Sequence, residues 1–247
     1  MDKKNKIIVI DFGYCMHRAI FAYINNKAVP CTFTFMKMLI GYLRKIGVDL
    51  DTTVIAAQDF GSWRKEIDKN YKAQRKDYRE SKETAEFWKN IYKEFNEFII
   101  KLENCLNWQF VKIYKYEADD IASVACRYYK ENEVILISAD KDWEMLCHFN
   151  NVKIFSPITK KYKIVKNPAK VLLEKIQGDI SDNLLEKPKN EKEFQIRKKI
   201  VDLIKLPSEI EMTIREVFDN FPMKNMLINK VPFYSIQKSL KDLYKID

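Results

Sequence analysis

The sequence IIVIDFG (residues 7–13) places four β-branched residues directly before an aspartate. A short, uninterrupted apolar run of this kind is typical of a strand buried on both faces of a sheet. Similar runs follow at Val54–Ala57, Phe110–Ile113 and Val134–Ile137, and Val152–Phe155 could form an edge strand. Because long helical patterns separate the runs, we expect an α/β fold with a mostly parallel sheet flanked by helices.

Helical spacing of apolar residues predicts the elements that lie between the strands. The predicted helices are Phe33–Ile46, Phe87–Leu102 and Glu117–Tyr129, and a short one begins at Asp142–Leu146. Beyond residue 182 the strand patterns end, no glycine occurs, and prolines interrupt charge-rich helical stretches. We therefore expect an α/β core over residues 1–186 and a helical C-terminal region over residues 187–247.

Composition limits the classes of protein to which the chain can belong. Its 247 residues are 47% hydrophobic, which is enough for a buried core and excludes a disordered chain. Lys and Arg number 44 against 35 Asp and Glu, and the resulting charge of +9 suggests a polyanionic partner. The five cysteines form no CxxC pair, so we expect reduced thiols. The apolar run Ile7–Ile10 is too short for a signal peptide or a membrane span, so we expect a soluble cytoplasmic protein.

Acidic residues follow the predicted strands at the points where the strands end. Those at the strand ends and in the helix after the third strand are Asp11, Asp59, Asp140, Asp142, Glu117, Asp119 and Asp120. The carboxyl ends of parallel strands meet at one edge of a sheet, where ligands bind. Like charges so close together would raise one another's pKa unless a cation neutralises them. Oxygen ligands favour a hard divalent ion, Mg²⁺ or Mn²⁺.

Each of these acids also has an ordinary structural interpretation. An aspartate after a strand is often a turn residue or a helix cap, and acids in a first helical turn stabilise the helix dipole. On a helical wheel, however, Glu117 and Asp120 share the face of Ile121, which must be buried. Buried carboxylates need a partner. Asp119 lies elsewhere on an ideal wheel, so the periodicity alone does not select it.

A basic segment with interleaved aromatic residues lies at Trp63–Lys82. Cations mixed with aromatic rings suit a nucleic-acid strand, because phosphates pair with the charges while bases stack on the rings. The alternative is a solvated helix face with i,i+4 ion pairs, which Glu66 and Glu80 would support. A second basic segment, Lys153–Lys175, holds seven lysines against the single Glu174 and could form a duplex-binding surface.

Several enzyme classes are excluded by missing motifs. The chain contains no GxxxxGK[ST], no GxGxxG and no HExxH sequence. Its histidines, His17 and His148, are interpreted as packing or surface residues, so a serine–histidine hydrolase has no base. Asp11 is followed by Phe12 and Gly13, which removes the DxD signature of aspartyl-phosphate phosphatases.

Five stretches, taken together, resemble the flap endonuclease family of 5′-nucleases, and most closely its phage branch, which includes the ribonuclease H of T-even-type phages. They are VIDFGYCMHRAIFA (9–22), AAQDFGSWRKEIDKNYKAQRK (56–76), YEADDIA (116–122), LISADKDW (136–143) and GDISDN (178–183). Each stretch alone is a weak signal, whereas five in the family's order form a specific one. They cover roughly the first three quarters of the chain.

The resemblance implies two metal sites and a basic arch. The implied ligands of the first site are Asp11, Asp59, Glu117 and Asp119, with Asp120 acting through water. The second site would take Asp140, Asp142, Asp179 and Asp182, with Asp119 shared. Lys72 and Arg75 would contact the scissile phosphate, and Tyr71 would stack on a base. Arg64, Lys76 and Arg79 complete the basic set of an arch near residues 64–86, under which a 5′ single strand passes.

The implied chemistry is two-metal phosphodiester hydrolysis with two Mg²⁺ or Mn²⁺ ions, in which Lys72, Asp11, Asp119 and Asp140 are the catalytic residues. The family acts as a 5′-3′ exonuclease and flap endonuclease that removes primers and flaps in replication. The implied partner of this chain is a DNA or RNA:DNA duplex with a 5′ single-stranded flap. Single-strand-binding and clamp proteins are further candidates, and we expect a monomer that does not bind membranes.

One departure from the family pattern concerns the grip on duplex. After GDxSDN the family continues into a glycine-rich hairpin that holds phosphates and often K⁺, whereas this chain continues without glycine. The K⁺ site is therefore in doubt, and the side chains of Lys187, Lys189 and Lys192 are expected to replace the hairpin.

Two rival functions are compatible with part of the pattern. A Toprim-type metal-dependent enzyme also uses an acidic residue and a DxD after a strand, but it leaves Asp11, Asp59 and the GDISDN acids without a role. A non-catalytic accessory protein that binds structured DNA would fit the charge, yet it predicts losses among the acids, and none is missing.

Overall fold

A computed structural model describes residues 5–74, 82–222 and 224–246, without the side chains of 82–84. At its centre lies a sheet of strands β1 (Lys6–Asp11), β2 (Thr53–Gln58), β3 (Gln109–Lys112), β4 (Glu133–Ile137), β5 (Val152–Ser156) and β6 (Lys161–Lys163). The strand order is β3-β2-β1-β4-β5-β6. All neighbours pair in parallel except β5 and β6. The mostly parallel sheet predicted from the apolar runs is confirmed.

The central position of β1 explains its uninterrupted apolar sequence. It pairs with β2 on one side and with β4 on the other, so its residues are buried on both faces of the sheet. β5 is internal rather than an edge strand, because the antiparallel β6 covers it. The three exposed residues of β6 carry no apolar pattern, and the sequence did not predict this strand.

Helices cover both faces of the sheet. They are α1 (Phe12–Asn25), α2 (Cys31–Ile46), α3 (Arg64–Ile67), α4 (Lys82–Cys105), α5 (Ala118–Tyr128), α6 (Pro168–Gln177), α7 (Glu191–Val201), α8 (Ser208–Asp219) and α9 (Tyr234–Tyr244). Short 3₁₀ helices span Asp142–His148, Ile180–Asp182 and Ile228–Lys230. The helices predicted at Phe33–Ile46, Phe87–Leu102 and Glu117–Tyr129 are confirmed with small shifts of their ends, whereas α1 was not predicted.

Two hydrophobic clusters form the core, one on each face of the sheet. The first joins α1, α2 and α4 to one face, and α9 contributes Ile236 and Leu240 to it. The second joins α5 to the other face, and α8 contributes Ile214 and Phe218. Helices α8 and α9 thus pack into the same clusters as the sheet, whereas α7 packs in a third, smaller cluster. A division at residue 187 stays a prediction.

No helix in the described parts of the chain combines the length and apolar character needed to cross a bilayer.

Candidate metal centre

Asp11 is the last residue of β1 and the N-cap of α1. Its Oδ1 accepts a hydrogen bond from Tyr14 N–H at 2.9 Å, and its Oδ2 accepts one from Ser138 Oγ at 2.7 Å. Burial raises the pKa of Asp11 to about 7 against these two hydrogen bonds, and the nearby carboxylates of Asp119 and Asp59 add to the rise. Asp11 is therefore a helix cap that also faces other acids, so the two interpretations of this residue are compatible.

Asp59 follows β2 and accepts a hydrogen bond from Ala118 N–H at 2.8 Å. Desolvation, and then the charge of Asp119, raise the pKa of Asp59. Gly13 lies between the first two acids: a Cβ on it would lie 3.3 Å from Asp59 Oδ2 and 3.9 Å from Asp11 Oδ1. A glycine here leaves space between two carboxylates that belong to neighbouring strands.

Asp119 links the carboxylates of the two predicted sites. Its Oδ1 accepts a hydrogen bond from Trp143 Nε1 at 2.7 Å. Burial acts to raise the pKa of Asp119, but Lys72, Arg64 and the Trp143 hydrogen bond outweigh it, and the pKa lies below its usual value. Desolvation, and then Asp119, raise the pKa of Asp140 to about 6. Asp119 is thus the carboxylate that stays charged, whereas the raised pKa of an acidic neighbour such as Asp140 favours its protonated form.

Lys72 connects Glu117 to the later acids. Its Nζ lies 2.7 Å from Glu117 Oε1 and 3.7 Å from Asp182 Oδ1. The Lys72 N–H also donates to the Asp182 carbonyl at 3.2 Å, and the residue has a left-handed backbone with φ of 54°. Gln74 Nε2 donates to the Ile180 carbonyl at 2.9 Å. The segment that carries Lys72 is therefore anchored to the GDISDN loop.

A second group of acids lies beside α6. One carboxylate oxygen from each of Asp142, Asp179 and Asp182 can be chosen so that all three lie within 4.8 Å of one another. Asp182 is buried, with 1% exposure. Asp179 caps the Ile180–Asp182 turn by accepting from Ser181 N–H at 2.7 Å. We call these three residues the carboxylate triad.

Lys175 is a member of this site that the sequence did not predict. It is 6% exposed, and its Nζ lies 2.8 Å from Asp182 Oδ2 and 3.4 Å from Asp179 Oδ2. It also forms an ion pair with Asp142. The only available signal was its spacing of four residues before Asp179, which is common among surface pairs as well.

Asp120 is enclosed by hydrogen-bond donors of the protein, which argues against its predicted water-mediated contact with a metal ion. It is 0% exposed, and its oxygens accept hydrogen bonds from Arg64, from Trp63 Nε1 at 3.2 Å and from Glu117 N–H at 2.9 Å. Burial raises the pKa of Asp120 although the Arg64 guanidinium opposes the rise. With its oxygens engaged, Asp120 supports the start of α5.

Arg64 is the partner that the buried acids of α5 require, and this corrects its predicted role in nucleic-acid binding. Its Nη1 lies 2.8 Å from Glu117 Oε2, and its Nε donates to the Ile200 carbonyl at 2.7 Å. Only 1% of Arg64 is exposed, so it has no surface left for a phosphate.

Tyr71 is also buried, at 2% exposure, and packs in a cluster with Ile176, Leu184 and Ile200. Its hydroxyl donates to Glu117 Oε2 at 3.3 Å. The ring therefore has no free face for the predicted base stacking in this conformation. The other predicted arch residues, Arg75, Lys76 and Arg79, lie outside the described residues.

The remaining predicted residues are at the surface or in the aromatic core. Lys187, Lys189 and Lys192 are exposed around the start of α7, where Lys189 lies 3.3 Å from Glu186. His17 packs against Trp88 at 5.8 Å between ring centroids. This is consistent with its interpretation as a packing residue.

The donor set fits hard divalent ions. Within the described residues, the acids of the two adjoining groups offer carboxylate oxygens, and no histidine or cysteine is among them. Ser138 and Trp143 orient Asp11 and Asp119 through hydrogen bonds, and both residues belong to the LISADKDW stretch. Their hydroxyl and indole roles were not predicted.

Comparison with protein families and curated proteins gives related sequences. The family model described as 5′-3′ exonuclease, N-terminal resolvase-like domain, matches residues 6–176. A 5′-3′ exonuclease of Mycoplasmopsis pulmonis (strain UAB CTIP) is 28% identical over 194 residues, 74% of this chain and 62% of that protein. Ribonuclease H of Enterobacteria phage T4 is 30% identical over 129 residues, 50% of this chain and 42% of that protein. The chain thus matches less than two thirds of the length of each relative.

Solved structures share the fold. The T5 D15 protein co-crystallised with metal ions has a TM-score of 0.60 at 16% identity, over 98% of this chain and 99% of that chain. A bacteriophage T5 D15 flap endonuclease variant, in a pseudo-enzyme-product complex with DNA and metal ions, has a TM-score of 0.60 at 20% identity, with the same coverage. These likenesses confirm the sheet flanked by helices.

Proposed function

Since the chain belongs to the family of 5′-3′ exonuclease N-terminal, resolvase-like domains, we propose that it is a metal-dependent, structure-specific 5′-nuclease. Its activities would be 5′-3′ exonuclease on DNA and RNA:DNA duplexes and endonuclease on 5′ flaps, which together remove primers and flaps in replication. The observation that carries the proposal is the convergence of two carboxylate groups from four strand ends and one loop, with Lys72 between them.

The carboxylates would hold two ions, Mg²⁺ or Mn²⁺. The first would bind Asp11, Asp59, Glu117 and Asp119, and the second would bind Asp140 and the carboxylate triad. Bound ions of this kind lower the pKa of an attacking water and stabilise charge on the phosphate and the leaving oxygen. Asp120 is left out of this set because Arg64 donates to both of its carboxylate oxygens, whereas Arg64 donates to only one oxygen of Glu117.

Lys72 has the position of an electrostatic catalyst. Its side chain is 13% exposed, and its ammonium lies 2.7 Å from Glu117 of the first carboxylate group and 3.7 Å from Asp182 of the second. A phosphate that approaches both groups would meet this ammonium, which would stabilise the negative charge that develops in the transition state. The segment that carries Lys72 is anchored to the GDISDN loop through Gln74, so the ammonium would need little reorganisation to do so.

Nucleic acid would be held by two basic surfaces. Arg75, Lys76 and Arg79 would line the arch for the 5′ single strand, and Lys187, Lys189 and Lys192 would hold the duplex. The T5 flap endonuclease complex contains DNA, which supports a similar substrate for this chain. We propose that the protein acts as a monomer in the cytoplasm.

The test is cleavage of a duplex that carries a 5′ flap with a labelled 5′ end. We expect short labelled products with Mg²⁺ or Mn²⁺ and none with EDTA. The same flap on an RNA:DNA duplex would measure the preference between DNA and RNA:DNA substrates. A matched single strand and a blunt duplex serve as controls for structure specificity. Binding without cleavage, under all these metal conditions, would favour the accessory protein instead.

A further inference from the structure

Lys175 places a positive charge inside the carboxylate triad. We propose that its ammonium is an internal counter-ion that closes the second site, and that it must leave before a divalent ion can bind there. This inference rests on the proposed nuclease function and assigns Lys175 as a positioning residue that couples ion binding to substrate binding.

The geometry of the ammonium supports an internal counter-ion. Its Nζ contacts all three acids of the triad and lies 2.8 Å from the buried Asp182. The Lys175 side chain is 6% exposed, so these contacts are made largely out of water. Exposed lysine pairs are mobile and weak, whereas a buried ammonium cannot leave its carboxylates without exposing uncompensated charge.

An ion and this ammonium cannot occupy the triad together. A divalent ion needs carboxylate oxygens at roughly 2.0–2.6 Å, which places it among the oxygens that now surround Nζ. Two cations at that separation repel strongly in a partly desolvated site. The free energy of ion binding therefore includes the cost of removing Lys175 from its three partners. The affinity of the second site for a divalent ion is lower as a result.

Substrate offers the displaced ammonium a new partner. Lys175 lies in the last turn of α6, and its four-carbon stem lets the ammonium move while the helix stays in place. The proposed function places the scissile phosphate beside Lys72, whose Nζ lies 3.7 Å from Asp182 of the triad. An ammonium that leaves the triad can pair with a substrate phosphate, so nucleic acid would lower the work of opening the site.

This coupling has a thermodynamic consequence. If bound substrate increases the affinity for the second ion, the second ion must increase the affinity for substrate by the same factor. Without nucleic acid, the second divalent ion would bind weakly. Lys72 does not impose the same block, because its Nζ lies 3.7 Å from Asp182 and is held by Glu117 instead.

Calorimetric titration with Ca²⁺ tests the inference without cleavage. We expect Lys175→Gln to bind the second ion at least about tenfold more tightly than wild type when no DNA is present. Product duplex should increase the affinity of the wild-type protein for the second ion and should change that affinity little in the variant. Lys170→Gln, an exposed lysine on the same helix, should behave as wild type. Equal second-site affinities for wild type and Lys175→Gln would overturn the inference.

A second measurement uses the wild-type protein and is independent of how the variant folds. Reaction of lysine amines with an acetylating reagent, followed by mass spectrometry, should show Lys175 protected without ions. Saturation with Ca²⁺ in the absence of duplex should increase the labelling of Lys175 by at least about threefold, because the displaced ammonium then has no phosphate to pair with, while the labelling of Lys170 stays constant. Unchanged protection with both ions bound would show that Lys175 does not leave the triad.

The two measurements distinguish the role of Lys175 from the nuclease activity itself. Wild type that cleaves a flap with Mg²⁺, but shows neither the affinity difference nor the change in labelling, would refute the role of Lys175 and leave the nuclease intact. Wild type that neither binds divalent ions nor cleaves any substrate would refute the nuclease, and the role of Lys175 with it.

Discussion

Both side-chain oxygens of Asp120 accept hydrogen bonds from the guanidinium of Arg64, at 2.7 and 3.0 Å. The two residues are separated by 56 positions in sequence, and neither is more than 1% exposed. Because Asp120 also caps the first turn of α5, this pair fixes the turn that carries Glu117 and Asp119. The ion pair thus supports two proposed metal ligands without touching a metal ion.

Breaking this pair is expected to destabilise the protein. Arg64→Met would leave Asp120 buried without its partner and lower the free energy of unfolding by about 3–5 kcal/mol. Urea unfolding followed by circular dichroism measures the change. Arg64→Met combined with Asp120→Leu removes both charges and should recover part of the stability. A single variant within about 1 kcal/mol of wild type would contradict the structural role of the pair.

The raised pKa of Asp11 predicts a pH dependence of stability in the metal-free protein. Burial raises this pKa from 3.8 to about 7, so between these values the folded state binds more protons than the unfolded state. Stability contributed by this group therefore falls as pH rises through that window. Asp11→Asn removes the effect, and its stability relative to wild type should rise by about 2–3 kcal/mol between pH 5 and pH 8 in EDTA. A constant difference would show that Asp11 ionises normally.

Asp140 is expected to be essential for cleavage and dispensable for binding. Asp140→Asn removes a proposed ligand, whereas the exposed basic residues that would hold DNA are unchanged. We expect no detectable cleavage of a flap duplex and an affinity within about threefold of wild type by fluorescence anisotropy in Ca²⁺. Cleavage within about tenfold of wild type, roughly 1.4 kcal/mol of barrier, would argue against the assignment.

Lys72 should affect the rate far more than the affinity. Lys72→Ala removes the ammonium beside Glu117, and we expect a single-turnover rate lower by about 100-fold or more. Lys69→Ala, an exposed lysine in the same segment, is the matched control and should keep the wild-type rate. If both variants lost affinity equally and kept the rate of bound substrate, Lys72 would be only a phosphate-binding residue.

The proposed duplex grip has a distinct signature in salt. Neutralising Lys187, Lys189 and Lys192 together should weaken duplex binding and reduce the slope of log K against log salt by roughly one for each phosphate that these lysines neutralise in the wild-type protein. Anisotropy across a salt series with Ca²⁺ measures this slope. An unchanged slope would show that these three lysines do not bind the duplex, and the segment Lys153–Lys175 would be the next candidate.

The strands and their acids could be predicted because both depend on local sequence. A buried parallel strand such as β1 needs an uninterrupted β-branched run, and parallel topology then places Asp11 with the acids of other strands. β6 could not be predicted, because its three residues are exposed and carry no apolar pattern. α1 was missed since its sequence FGYCMHRAIFAYIN has a glycine in its first turn and mixes aromatic residues on several faces.

The roles of Arg64 and Lys175 depend on contacts between distant parts of the chain. Their charges predict exposed surfaces, and the structure buries both against carboxylates that the sequence does not identify as partners. The helical wheel shows that Glu117 and Asp120 need a counter-charge, yet several nearby cations satisfy that requirement equally well. Tertiary packing determines which cation pairs with these acids, and the periodicity of the sequence contains no information about that packing.

The order of the strands has a consequence for the synthesis of the protein. β1 lies between β2 and β4 in the sheet. The last acid of the triad, Asp182, is separated from β1 in sequence by most of the described chain. Translation delivers these parts in sequence, and an unfinished chain on the ribosome holds the first carboxylates without the triad. A growing chain whose GDISDN loop is still inside the exit tunnel would therefore lack the proposed second site, and the proposed cleavage would become possible only once that loop has emerged.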